Sequence, residues 1–168
     1  LPAGVNETAA FLLARFDLRG KAVYIDIMAR ALAIDYGRRR IGLAYSDPDQ
    51  IIISHRETIL ITGMNDAVRK LSQYIEQHEI GEVVIGFPFR EDGSAGELGA
   101  EIEYLKSALS KKLPGLTIEF ADERYTSYLG AKIVHLSGKK IGDDKGRVDA
   151  AAAGIILEDF MNRDRGER

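Results

Sequence analysis

The chain of 168 residues contains no cysteine. A disulfide framework, a thiolate zinc site and a cysteine nucleophile are all excluded by that absence. Its three histidines, His55, His78 and His135, are scattered rather than clustered. No stretch reaches the run of about 18 apolar residues that a bilayer-spanning helix needs, and nothing in residues 1–27 resembles a secretory or transit signal. A cytoplasmic protein with no membrane partner is expected. The formal net charge of −3 argues against coating nucleic acid by bulk positive charge, which takes a strongly basic domain. A Walker-type phosphate loop is missing as well: Gly138-Lys139-Lys140 lacks both the hydroxyl residue after the lysine and the earlier glycine. What is present, 45% apolar and 29% charged residues, suits one soluble globular domain with a sizeable core, and the length is too short for two ordinary ones.

The chain is organised around Ala33-Ile34-Asp35-Tyr36-Gly37, followed by Arg38-Arg39-Arg40 and Ile41-Gly42-Leu43-Ala44-Tyr45. One carboxylate, Asp35, interrupts an otherwise apolar strand. Period-two alternation sends Leu32 and Ile34 one way and Ala31, Ala33 and Asp35 the other. Gly37 permits a tight turn, Ile41 to Tyr45 restarts the strand pattern, and Ser46-Asp47-Pro48 ends it, so the stretch reads as two antiparallel strands joined by a basic turn. A strand-borne aspartate beside such a turn could hold a metal ion next to a phosphate. Asp before Gly also serves plain hairpin turns, so the meaning of Asp35 depends on its company downstream.

Ile51 to Leu60 is a third strand candidate, rich in β-branched residues and ending at Thr62-Gly63. From Asn65 the period becomes helical, with Ala67, Leu71, Tyr74 and Ile75 on one stripe and Gly81 expected to close the helix. Glu82 to Pro88 is almost continuously apolar and belongs mid-sheet. Ser94 and Glu97 have the spacing of a capping box ahead of a helix whose buried stripe is Leu98, Ile102, Leu105 and Leu109. Leu116 to Phe120 is a further strand, running into a second acidic site at Asp122-Glu123-Arg124. Ser127 to Leu136 suits a short helix, with His135 packing among its apolar residues, and Lys139 to Gly146 a charged loop. Thr126 suits a cap for that helix. Val148-Asp149-Ala150-Ala151 opens the last helix, whose small residues allow close approach to a sheet; an acid in its first turn also complements the helix dipole. Met28 looks like a natural start for the domain, spanning 28–168, and residues 1–27 read either as an N-terminal extension with a candidate strand at Ala22 to Ile27 or as upstream sequence joined by a misplaced start.

This order predicts an α/β fold, a mixed sheet with helices on both faces, and it is also the order of the ribonuclease H-like fold with its five-stranded sheet. The blocks Asp35-Tyr36-Gly37 with Arg40-Ile41-Gly42, Gly86-Phe87-Pro88 leading to Asp92-Gly93-Ser94, Asp122-Glu123-Arg124, and Val148-Asp149-Ala150-Ala151 together resemble the YqgF (RuvX) family over about residues 30 to 161. Four spaced blocks in order make a specific match. The resemblance implies a nuclease that hydrolyses phosphodiester bonds, in maturation of the small-subunit ribosomal RNA precursor or as a Holliday junction resolvase on four-way DNA. It makes Asp35, an acid of the Asp122-Glu123 pair and Asp149 the catalytic, metal-binding carboxylates, with Glu123 preferred for its longer arm.

Elementary chemistry agrees with that implication. Carboxylates 4 Å apart repel by roughly 4 kcal/mol per pair at an effective dielectric near 20, which cations must relieve. Oxygen ligands favour Mg²⁺ or Mn²⁺ over zinc, and two such ions roughly 4 Å apart serve an in-line displacement. Arg38, Arg39, Arg40 and Arg124 would then position phosphates of a nucleic acid, RNA in preference to branched DNA, with Lys139, Lys140 and Lys145 as outer contacts. Two rivals compete. An actin-like or sugar-kinase-like ATPase also opens on Asp-x-Gly between two strands, but needs a second domain and a second phosphate loop that Asp92 to Gly96 does not reproduce. A catalytically silent nucleic-acid binding module would keep the same residues. No stripe dictating a dimer stands out, so the sequence leaves the oligomeric state open.

Overall fold

In the computed structural model of the chain, the backbone is described for residues 11–16, 22–27, 29–88, 96–122 and 145–166, and side chains for 29–88, 97–121 and 146–163. Strands β1 (Phe11–Phe16) and β2 (Ala22–Ile27) form an antiparallel pair of their own. The second of these is the strand expected in the N-terminal segment.

The main sheet contains β3 (Arg30–Tyr36), β4 (Arg40–Ser46), β5 (Ile53–Leu60), β6 (Ile80–Phe87) and β7 (Thr117–Asp122). Its spatial order is β5-β4-β3-β6-β7. The β5-β4-β3 half is an antiparallel meander, whereas β6 and β7 run parallel to β3. Parallel neighbours need crossovers, supplied here by α1 (Met64–Gln77) and α2 (Gly96–Lys112). A third described helix, α3 (Lys145–Gly166), packs on β3, β4 and β5 from the other side. The mixed five-stranded sheet with helices on both faces is therefore as expected, and β6 does lie mid-sheet.

Alternation along β3 divides the core. Leu32, Ile34 and Tyr36 join the large side chains of α1 and α2, including Leu71, Ile75, Ile102, Leu105 and Leu109. Ala31 and Ala33 face α3, against Ala44, Val84, Ala121, Ala153 and Ile156. One face is thus filled by bulk, each fully buried leucine or isoleucine contributing about 1.5–3 kcal/mol. The other is lined by small residues, and α3 lies close to the strands as a result. A Cβ on Gly154 would meet the Arg56 side chain of β5.

Three expectations are corrected. Gly81 does not close α1; it lies inside β6, and the helix gives way at His78 and Glu79, the latter in the left-handed region with φ of 54°. Glu79 takes the conformation that glycine usually supplies, because the apolar run to be paired already starts at Ile80. Ile51 and Ile52 are not strand residues. They sit, about 60% exposed, in a turn clamped by the Asp47 carboxylate, which accepts from both of their amides at 2.7 and 2.9 Å. That side-chain bond offers the backbone an alternative to the ladder. Finally, α3 begins at Lys145 rather than at Val148, which moves Asp149 out of the first turn and weakens the dipole account of it.

Candidate active site

Asp35 is the penultimate residue of β3, on the α3 side, at the carboxyl end of the parallel strands where open α/β sheets bind ligands. Its neighbour across the β3–β4 ladder is Gly42, and the neighbour of Gly42 across the β4–β5 ladder is Thr58. The row Asp35, Gly42, Thr58 is the floor on which the start of α3 rests. A Cβ on Gly42 would overlap the backbone carbonyl of Asp149. Thr58 Oγ1 donates to the carbonyl of Gly146 at 2.5 Å, pinning the same turn of the helix. Absence of a side chain at one position and a hydroxyl at the next bring Asp149 beside Asp35.

The two carboxylates are electrostatically coupled. Burial first, then the Asp149 charge, push the Asp35 carboxyl up from 3.8 to about 6. Among the described residues no donor or cation is paired with Asp35, whereas Asp149 accepts from Arg40 Nε at 2.7 Å through Oδ2. The pair opens into a cleft of about 460 Å³ lined by Asp35, the Tyr36 to Arg40 turn and Asp149. The turn is held by the Gly37 amide donating to the Arg40 carbonyl at 2.9 Å, and a Cβ on Gly37 would come within 2.8 Å of that carbonyl oxygen.

The three arginines of the turn have different surroundings. Arg38 reaches α2, its Nε 2.9 Å from Glu101 and its Nη2 3.3 Å from Glu97. The Tyr36 hydroxyl donates to the same Glu101 at 3.2 Å, and burial and that carboxylate hold the phenol proton more tightly than usual. Arg39 is exposed, with no ion-pair partner among the described residues. Arg40 is tied to Asp149. The partners Glu97, Glu101 and Thr58 were not legible as site residues. Only the alternation of β4, which sets Arg40 and Gly42 on one face, hints that Arg40 belongs with Asp35.

Among the described residues, no three carboxylate or imidazole side chains converge on one point. His55 and His78 flank Tyr45, with ring centroids at 5.6 and 4.8 Å, and line no part of the cleft. Asp122 is the last residue of β7, at the same carboxyl end of the parallel strands as Asp35. Lys145 opens α3. Glu123, Arg124, Lys139 and Lys140 lie outside the described residues, as do Ser94, Thr126, His135 and the short helix expected over 127–136.

A family model described as RuvX, Holliday junction resolvase, matches residues 29–163. A Bacteroides fragilis protein named "Putative pre-16S rRNA nuclease" is 34% identical over 140 residues, covering 82% of this chain and 99% of its own. One of the same name from Chlorobium luteolum is 34% identical over 139 residues, covering 82% and 96%. Among solved structures, Thermus thermophilus RuvC in complex with a Holliday junction substrate superposes with a TM-score of 0.53 at 13% identity, over 80% of this chain and 95% of that one. The Fowlpox virus resolvase bound to junction DNA gives 0.52 at 10% identity, over 80% and 97%. Sheet order and helices on both faces, shared with these solved structures, define a ribonuclease H-like fold. Within that class, the chain belongs to the RuvX family.

Proposed function

We propose that the chain is a metal-dependent nuclease that hydrolyses phosphodiester bonds, acting in the cytoplasm on the precursor of the small-subunit ribosomal RNA. The observation that carries this reading is the coupled pair Asp35 and Asp149 in a cleft whose rim is the Arg38 to Arg40 turn. Membership of the RuvX family and the names of the two bacterial relatives support it. Residues 28–168 are the nuclease domain in this reading, and 1–27 an extension of it. Among the described residues no helix is long and apolar enough to cross a membrane.

The donor set fits a hard divalent cation, Mg²⁺ or Mn²⁺. All its atoms are carboxylate oxygens, and Asp35 is a carboxylate whose ionisation a nearby cation favours. Asp35 and Asp149 would hold the ion, with Glu123 as third ligand in preference to Asp122. Glu123 stands two positions after Ala121, and Ala121 belongs to the α3-facing side that carries Asp35. When bound, such an ion would supply charge stabilisation to the phosphoryl group and would lower the pKa of a water. Of the protein groups, Arg39 offers a donor fork to a backbone phosphate, and Arg38, oriented by Glu97 and Glu101, a second. In this reading Arg124 would also position a phosphate, with Lys139, Lys140 and Lys145 as outer contacts.

The family description and the RuvC-like fold favour a second substrate, four-way DNA. Metal-dependent cleavage of labelled precursor ribosomal RNA, single-stranded RNA and four-way junctions by the wild type and Asp35→Asn distinguishes the readings. Cleavage of precursor RNA with Mg²⁺ or Mn²⁺, lost in the variant, is the expected result. Preference for the junction would make the protein a resolvase, and binding of all three without cleavage a silent binding module.

A further inference from the structure

The sequence groups Arg40 with its neighbours as a phosphate contact, but the fold gives it a different partner. Alternation along β4 sets Arg40, Gly42 and Ala44 on the face covered by α3. There the Arg40 Nε donates at 2.7 Å to Oδ2 of Asp149, a residue 109 positions away in sequence. Both side chains are partly covered, at 38% and 24% exposed, unlike Arg38 at 58%. An ion pair this accessible adds little to stability; what a guanidinium fork adds is direction.

We infer that Arg40 is a positioning residue for Asp149, holding the carboxylate by Oδ2, leaving Oδ1 to ligate a divalent cation, and making no contact with nucleic acid. The inference rests on the metal-dependent reading above. Three adjacent arginines then divide the work. Arg38 is braced by α2, Arg39 is presented to solvent, and Arg40 aligns a ligand from behind. Partners that orient a metal-binding side chain typically matter about 10–100-fold in metal affinity or activity, whereas a phosphate contact matters in nucleic-acid affinity and its salt dependence.

The test separates these two signatures without needing turnover. Mn²⁺ is titrated into wild type, Arg40→Gln, Arg40→Lys and Asp35→Asn, and bound ion is read from loss of the free-ion electron paramagnetic resonance signal. Binding of a labelled single-stranded RNA and a four-way junction is followed by anisotropy in EDTA over a range of salt. The expected result for Arg40→Gln is Mn²⁺ affinity weaker by about tenfold or more, with wild-type nucleic-acid affinity, salt slope and melting temperature. Arg40→Lys, which keeps a charged donor, recovers part of the Mn²⁺ affinity. Unchanged Mn²⁺ affinity with a salt slope reduced by about 1 would make Arg40 a phosphate contact and overturn the inference. Tighter Mn²⁺ binding overturns it too, by making the guanidinium a competitor of the ion. If the wild type itself shows no Mn²⁺ binding sensitive to Asp35→Asn, the metal-site reading falls and takes the inference with it, a result distinct from the other two.

Discussion

Replacing Asp35 by asparagine should stabilise the metal-free protein at neutral pH while abolishing cleavage. Burial and the Asp149 charge raise the Asp35 carboxyl from 3.8 to about 6 in the folded chain. Below the unfolded value, Asp35 is protonated in both states and costs nothing. Between the two values the unfolded chain releases its proton and the folded chain keeps it, so stability falls as pH rises; above about 6 the penalty is complete. The full interval is worth about 3 kcal/mol, and solvent in the open cleft reduces this to about 2 kcal/mol. For a domain of this size that corresponds to roughly 4–8 °C in melting temperature. Melting curves in EDTA from pH 4 to 8 should show Asp35→Asn and wild type close together at the acid end and the variant ahead by that margin at pH 8. Adding Mg²⁺ or Mn²⁺ should raise the wild type and leave the variant nearly unmoved, because ligand binding to the folded state alone is stabilising. A difference independent of pH, or a variant less stable at pH 8, would refute the coupling of burial and charge on which the site is built.

Two further substitutions probe how the site is assembled. Gly42→Ala places a Cβ against the Asp149 carbonyl; the displaced helix should cost about 1–3 kcal/mol in urea unfolding and lower cleavage, and an unchanged midpoint would remove Gly42 from the account. Arg39→Ala removes the exposed guanidinium of the turn, so binding to single-stranded RNA and to a four-way junction should weaken to a similar degree, with the salt slope falling by about 1; loss confined to one substrate would give Arg39 a reading role instead.

Much of the scaffold was written locally. The two faces of β3, the stripe Ala67, Leu71, Tyr74, Ile75 on α1 and the stripe Ile102, Leu105, Leu109 on α2 follow from periods of 2.0 and 3.6, which are properties of neighbouring residues. The continuous apolar run of β6 announced burial on both faces, and its place between β3 and β7 agrees. Asp35 stood out because a carboxylate in an apolar strand has a desolvation cost that only a special environment offsets. Local signals also misled. Gly81 looked like a helix stop, yet it lies inside β6, at the register shift of its pairing with β3, and Ile51 and Ile52 looked like strand, yet the Asp47 side chain captured their amides.

The sequence by itself determined the order of the main-sheet strands, the two faces of the sheet, the family and the acids and arginines from which a site could be built. Tertiary structure alone decided how these residues divide. Register sets Asp35 opposite Gly42, the missing Cβ of Gly42 admits the backbone of Asp149, and Arg40 is thereby drawn to Asp149 while Arg38 is drawn to α2. The physical reason is that periodicity lives between covalent neighbours, whereas a contact spanning 109 positions exists only after strand register and close packing have been settled together.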